Sequence, residues 1–297
     1  MKTPSWLDRI LYPFQHHHLD LPDGKMHYVD EGTGEPIVFI HGTPTWSFLW
    51  RQQIKSLSRS YRCIAPDHLG FGLSDKPGNV ALTPEAHAAN LETLLQHLNL
   101  PKLTLVVHDF GGAIGLAYAL KYPEKIKQLV ILNTWMWSLE EESRIMRISR
   151  FMAGGAGKFL YTRLAFSPKL LLPQGYHERK HLTKDVHRHY LKPLSSPTAR
   201  LGSWQFAVAL AASSHWFSTL WEQRQKLETI PKLILWGEKD KLLPISFLEK
   251  WQKAFPNATV KRIKAGHFLQ EEKGSDVTQA VLEALAAKPA AEEASYF

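Results

Sequence analysis

The chain has 297 residues, 44% of them hydrophobic, with 36 Lys+Arg against 28 Asp+Glu for a formal net charge of +8. These are globular values for one large domain or a core with one insertion, and they exclude a disordered or collagen-like chain. The single Cys, Cys63, excludes an internal disulfide and a Cys-rich metal site, and the basic excess forms no Lys/Arg run or nucleic-acid motif, so no nucleic-acid partner is expected.

The first residues, MKTPSWLDRILYPF, lack a basic-then-apolar leader, and no apolar stretch nears the roughly 20 residues of a membrane span; a cytoplasmic location is expected. His16, His17 and His18 lie beside a strand without a second ligand cluster, so no metal site is read there. GKMHYVDEG and EPIVFIHG read as strands, the second a continuous apolar run suited to a buried central position. A helix over 46–58 precedes a strand in YRCIAPD and a Gly/Pro-rich loop in HLGFGLSDKPG. Thr83 and Pro84 open the next helix, which runs to about 98. KLTLVVHD is a strand, GGAIGLAYALKYP a helix and IKQLVILN a strand. Over 135–214 the alternation stops and the sequence turns helical and loop-like. It resumes with a helix over 216–228, a strand in PKLILWG, a helix over 244–255, a strand in ATVKRIKA and a helix over 275–286, before a frayed tail. The fold class is therefore α/β: a doubly wound, mostly parallel sheet built from 1–134 and 215–297, with 135–214 inserted as a helical cap near the carboxyl ends of the strands, where such sheets bind ligands.

Chemistry concentrates at those strand ends. In LVVHDFGGAIG a strand meets a helix through a sharp turn with Asp109 at its apex and Gly111 and Gly112 permitting close approach. Taken alone, Asp109 suits a helix cap. Asp240 follows a later strand and His267 the last one, in the order nucleophile, acid, His that α/β-hydrolases use. The backbone N–H groups of Thr43, in the HGTPTW turn after His41, and of Phe110 are placed to form an oxyanion hole. A carboxylate needs no base to attack saturated carbon, and a His oriented by an acid can then send water against the resulting ester without any cofactor.

The runs HGTPTWSFLWR, PDHLGFGLSDKP, VVHDFGG, WGEKD and AGHFLQEE together resemble the haloalkane dehalogenases, across both core segments and in order. The resemblance implies an α/β-hydrolase fold, Asp109 as nucleophile, His267 as base, Asp240 as triad acid, and a small apolar substrate and water as partners. Thr43 and Phe110 stand where that family usually has Asn or Glu and Trp, so the leaving-halide clamp departs from the pattern while the ester-forming residues match. Trp135 and Trp137 are candidates to supply an indole donor instead. Epoxide hydrolases share the Asp nucleophile but use cap tyrosines, for which Tyr161, Tyr176 and Tyr190 are available; a β-lactone- or ester-opening hydrolase is a further reading. A hydrolase-fold binding protein without turnover is the alternative of another class, and it gains if His267 fails to reach both Asp109 and Asp240. The basic segment HERKHLTKDVHRHYLK reads as a solvated helix face, and the sequence leaves the oligomeric state open.

Overall fold

The computed structural model describes residues 4–287. Eight strands form one sheet in the order β1-β2-β4-β3-β5-β6-β7-β8. They are β1 (His17–Leu21), β2 (Gly24–Glu31), β3 (Pro36–Ile40), β4 (Arg62–Pro66), β5 (Leu103–Asp109), β6 (Ile126–Thr134), β7 (Lys232–Gly237) and β8 (Thr259–Ile263). β2 runs antiparallel to both β1 and β4, and every pairing from β4 to β8 is parallel. All residues of β3, β5 and β7 are buried, which is why β3 and the middles of β5 and β7 read as apolar runs. β1 escaped the sequence reading because in HHLDL only Leu19 and Leu21 are apolar, too short a signal to mark a strand; it is a half-exposed edge strand held by its hairpin with β2.

The core helices are α1 (Arg51–Leu57), α2 (Pro84–His97) and α3 (Gly111–Lys121) before the insertion. The helix expected over 46–58 is split, with a tight 3₁₀ turn at Ser47–Trp50 preceding α1. Thr83 caps α2 by accepting the Ala86 N–H, with Pro84 in the first turn. Between β6 and β7 come α4 (Ser143–Ala153), α5 (Gly155–Thr162), the four-residue α6 (Leu172–Gly175), α7 (Lys184–Leu191), α8 (Leu201–Ala212) and α9 (Ser214–Glu222), with no strand among them. α10 (Ile245–Ala254), α11 (Leu269–Glu272) and α12 (Gly274–Ala286) complete the chain. Apart from the last residues of α12, the tail lies outside the described residues.

Two apolar layers flank the sheet. One gathers Ile40, Leu105, Val107 and Ile131 with α2, α3, Trp135 and Phe206; the other gathers Phe39, Val106, Leu132 and Leu235 with Trp46, Trp50, Tyr190 and α12. Alternate residues of each strand feed opposite layers, as the two-residue period of a strand requires. Parallel pairing lines up the carboxyl ends of β5, β6 and β7, with Asp109 opposite Thr134 and Leu132 opposite Leu235.

Candidate active site

Asp109 sits in the turn from β5 into α3 with φ +52°, a left-handed conformation that a non-glycine residue adopts only when its surroundings impose it. The imposition is close packing. A Cβ at Gly111 would lie 2.3 Å from the Ile40 carbonyl oxygen, and one at Gly112 would lie 1.7 Å from the Thr134 hydroxyl. Thr134 Oγ1 donates to the Asp109 carbonyl, fixing the peptide beyond the apex. The register between β5 and β6 also shifts between His108 and Asp109. The carboxylate does not cap the helix: α3 begins at Gly111 with Phe110 at its N-cap and no side-chain cap bond, and Asp109 Oδ1 instead accepts the Thr43 backbone N–H at 2.8 Å.

His267 comes next to it from the far end of the chain. Its Nδ1 lies 2.7 Å from Asp240 Oδ2 and its Nε2 3.4 Å from Asp109 Oδ2. The second separation is an ion-pair distance that leaves the Nε2 direction unclaimed. The His267 amide donates to the Gly175 carbonyl at 2.7 Å, and its carbonyl faces His108 Nε2 at 2.9 Å. Asp240 is fixed by four contacts: Leu242 and Leu243 N–H groups on Oδ1, and His267 and the Asn133 amide on Oδ2, the last at 2.7 Å. Asn133 also accepts the Gly237 N–H at 2.7 Å, and so ties the ends of β6 and β7 together beneath the acid.

Electrostatics follow from this geometry. Burial alone drives the His267 imidazole downward, but the two carboxylates outweigh it and hold the group up to about 10. Burial pushes the Asp240 carboxyl up, yet His267 and the backbone N–H groups bring it below its ordinary value. The free site is therefore an imidazolium between two carboxylates.

Residues 35–274 match the family model of the α/β-hydrolase fold. The chain is 33% identical over 279 residues to haloalkane dehalogenase 2 of Mycobacterium tuberculosis, covering 93% of this chain and 96% of that protein. This chain belongs to the haloalkane dehalogenase family of the α/β-hydrolase superfamily. It is also 34% identical over 282 residues to cis-3-alkyl-4-alkyloxetan-2-one decarboxylase of Shewanella oneidensis, over 91% of this chain and 88% of that protein. Among solved structures, haloalkane dehalogenase from Agrobacterium tumefaciens superposes with a TM-score of 0.79 at 27% identity, over 91% of this chain and 95% of that one. A point variant of the same enzyme gives 0.82 at 25% identity, over 94% and 99%.

The surroundings of Asp109 are mostly apolar and aromatic. Phe110, 2% exposed, stacks on Phe206 at 4.4 Å and meets Trp135 edge-on at 4.9 Å. It offers no side-chain donor. The Trp135 Nε1 and the Thr43 hydroxyl are both buried without a partner, an arrangement that costs stability unless something polar visits them. Trp137 lies in a separate aromatic cluster with Trp221, Phe247 and Trp251. Of the three tyrosines, Tyr190 is committed to Glu271, which also pairs with Arg51 at 2.6 and 2.7 Å. Tyr176 packs on Phe268, with its hydroxyl buried and unpartnered. Tyr161, on α5, is buried, and its phenol is pushed upward first by that burial and then by the Asp109 charge. Asn133, Thr134 and His108 were not singled out in the sequence, where each reads as an ordinary strand-end residue. His41 holds the turn rather than the reaction: Nδ1 bonds the Gly42 carbonyl at 2.7 Å and Nε2 accepts the His68 N–H. His17 and His18 open β1, and His16 just before it bonds His27, whose other nitrogen bonds buried Asp67 at 2.8 Å.

Proposed function

We propose that this chain is a haloalkane dehalogenase-like hydrolase working through Asp109, His267 and Asp240, with 135–214 as a cap that shields the reacting atoms from water. The observation that carries the reading is the double hold on Asp109: one oxygen bound by the Thr43 N–H, the other facing His267 Nε2, with His267 anchored to Asp240. Asp109 Oδ2 attacks the carbon bearing the halogen; the new C–O bond forms as the carbon–halogen bond breaks, and the halide leaves with the bonding pair. The Trp135 Nε1–H and Thr43 hydroxyl are the neutral donors available to that anion.

Alkylation removes the Asp109 charge, one of the two that hold the imidazole protonated. His267 then releases its proton to solvent, the one proton the net hydrolysis liberates, and becomes the base. It takes a proton from water as the hydroxide adds to the Asp109 carboxyl carbon. The Thr43 and Phe110 N–H groups meet the oxyanion on the former Oδ1. Collapse expels the alkoxide, which recovers the proton from His267 and leaves as alcohol; the regenerated Asp109 acid then passes its proton to His267, restoring the imidazolium between the two carboxylates.

An oxygen leaving group is the second reading, favoured by Tyr161. Burial and the Asp109 charge keep the Tyr161 phenol protonated, so it holds a proton that an alkoxide from an epoxide or a strained cyclic ester could take. The test is a turnover screen of 1-bromobutane, 1-chlorobutane, an alkyl epoxide and a dialkyl β-lactone with wild type, Asp109→Ala and Tyr161→Phe. Halide release that vanishes in Asp109→Ala and survives Tyr161→Phe supports the first reading. Turnover confined to the epoxide or lactone and lost in Tyr161→Phe replaces it with the second.

A further inference from the structure

The uneven distribution of charge and apolar surface points to a function outside the catalytic site. Residues 143–177 contain six Lys/Arg and no Asp or Glu. Everywhere else 30 Lys+Arg face 28 Asp+Glu, so three-quarters of the net charge of +8 belongs to this one segment. It also carries five of the eight exposed large hydrophobic side chains among the described residues: Ile148, Phe151, Phe159, Leu164 and Leu170, each 46–56% exposed.

The two classes of side chain interleave. On α4, Arg144, Arg147, Ile148 and Phe151 follow the three- and four-residue spacing of one outward face. The opposite face turns Met146, Ser149 and Met152 inward, and the Ser149 hydroxyl lies 2.7 Å from the Ala207 carbonyl of α8. On α5, Lys158 and Phe159 are exposed, while Tyr161 is buried. Arg163 and Leu164 follow, then Lys169 and Leu170. None of the six cations enters a salt bridge among the described residues, and Lys158 lies over the Trp204 ring at 4.7 Å.

We infer that α4, α5 and the turns after them form a docking surface for an anionic lipid bilayer. The cations supply attraction to the headgroups, and Phe151, Phe159 and Leu164 sink beneath them, the arrangement of an interfacial amphipathic helix. No helix of the described residues is long and apolar enough to cross a membrane, so the attachment is peripheral. An acidic protein partner would use the cations but gives no reason for five exposed apolar side chains set between them. Docking here places the bilayer on one side of α5 and Tyr161, within the field of Asp109, on the other. The docking itself does not rest on the proposed chemistry.

The test is co-sedimentation of the full chain with vesicles of equimolar phosphatidylcholine and phosphatidylglycerol, compared with pure phosphatidylcholine. Wild type is expected to partition about tenfold better to the anionic vesicles, with binding weakened by added salt. Phe151→Ser/Phe159→Ser, checked for folding by circular dichroism, is expected to lose about tenfold in binding, and Arg144→Gln/Arg147→Gln/Arg150→Gln a similar amount. Absence of binding to either vesicle overturns the inference. So does binding that the Phe pair leaves unchanged and soluble poly-glutamate abolishes, which marks a site for an acidic protein. Sedimentation velocity supplies the last check: a wild-type dimer that the Phe pair converts to monomer assigns the patch to a second copy of the chain and overturns lipid docking.

Discussion

Replacing Asp109 with Asn asks whether the charge of the proposed nucleophile keeps the proposed base, His267, protonated. The Asp109 carboxylate lies 3.4 Å from His267 Nε2. At an effective dielectric of about 20, a unit charge at that distance contributes about 5 kcal/mol, or three to four pH units, as an upper limit. The whole rise of His267, from 6.5 to about 10, is shared with Asp240 and opposed by burial, so the realised loss is smaller. Imidazole ¹⁵N titration by NMR should show the His267 midpoint falling by one to three units in Asp109→Asn. Stability carries the same signature. A folded-state pKa raised above the unfolded one contributes stability that is complete below 6.5 and is lost as pH rises through about 10. The wild-type urea midpoint should therefore decline across that window more steeply than that of Asp109→Asn. A His267 midpoint shared by the two proteins, within about half a unit, refutes charge release as the trigger for water activation.

Trp135→Phe removes the unpartnered indole N–H beside Phe110 and should slow carbon–bromine cleavage by about ten- to a hundredfold at little cost in stability, measured as bromide release. An undiminished rate moves the halide donor elsewhere. Glu271→Gln leaves the buried Arg51 guanidinium without its carboxylate and should cost about 3–5 kcal/mol in urea denaturation. Phe110→Trp places a larger ring between Phe206 and Trp135 and should cost about 1–3 kcal/mol in the same assay.

The central strands were legible in the sequence because burial on both faces makes their middles runs of apolar residues. The elbow was legible because Gly111 and Gly112 mark a backbone approach that no other residue permits. Asp240 and His267 were singled out by their order along the chain, although spacing alone does not reveal that they lie 2.7 Å apart. Asn133 was missed because its work is across strands: its φ of +27° and its bonds to Gly237 and Asp240 follow from pairing between β6 and β7. Trp135 and Trp137 are two residues apart and read alike. The structure sends one to Phe110 and the other into a packed aromatic cluster. The helices of the insertion were recognised as a class but not bounded, since α4, α5 and α8 have no side-chain cap to mark their starts. The exposed faces of α4 and α5 became visible only once burial separated outward Phe151 and Phe159 from inward Met152 and Tyr161.

Covalent aspartyl catalysis is tested most directly by intact-mass spectrometry of His267→Phe after exposure to 1-bromobutane. Attack on saturated carbon needs no base, whereas ester hydrolysis does, so the variant should stall with one butyl group added and the adduct should map to the peptide containing Asp109. A substrate consumed by wild type that leaves the folded variant unmodified, or modified at another residue, contradicts the account.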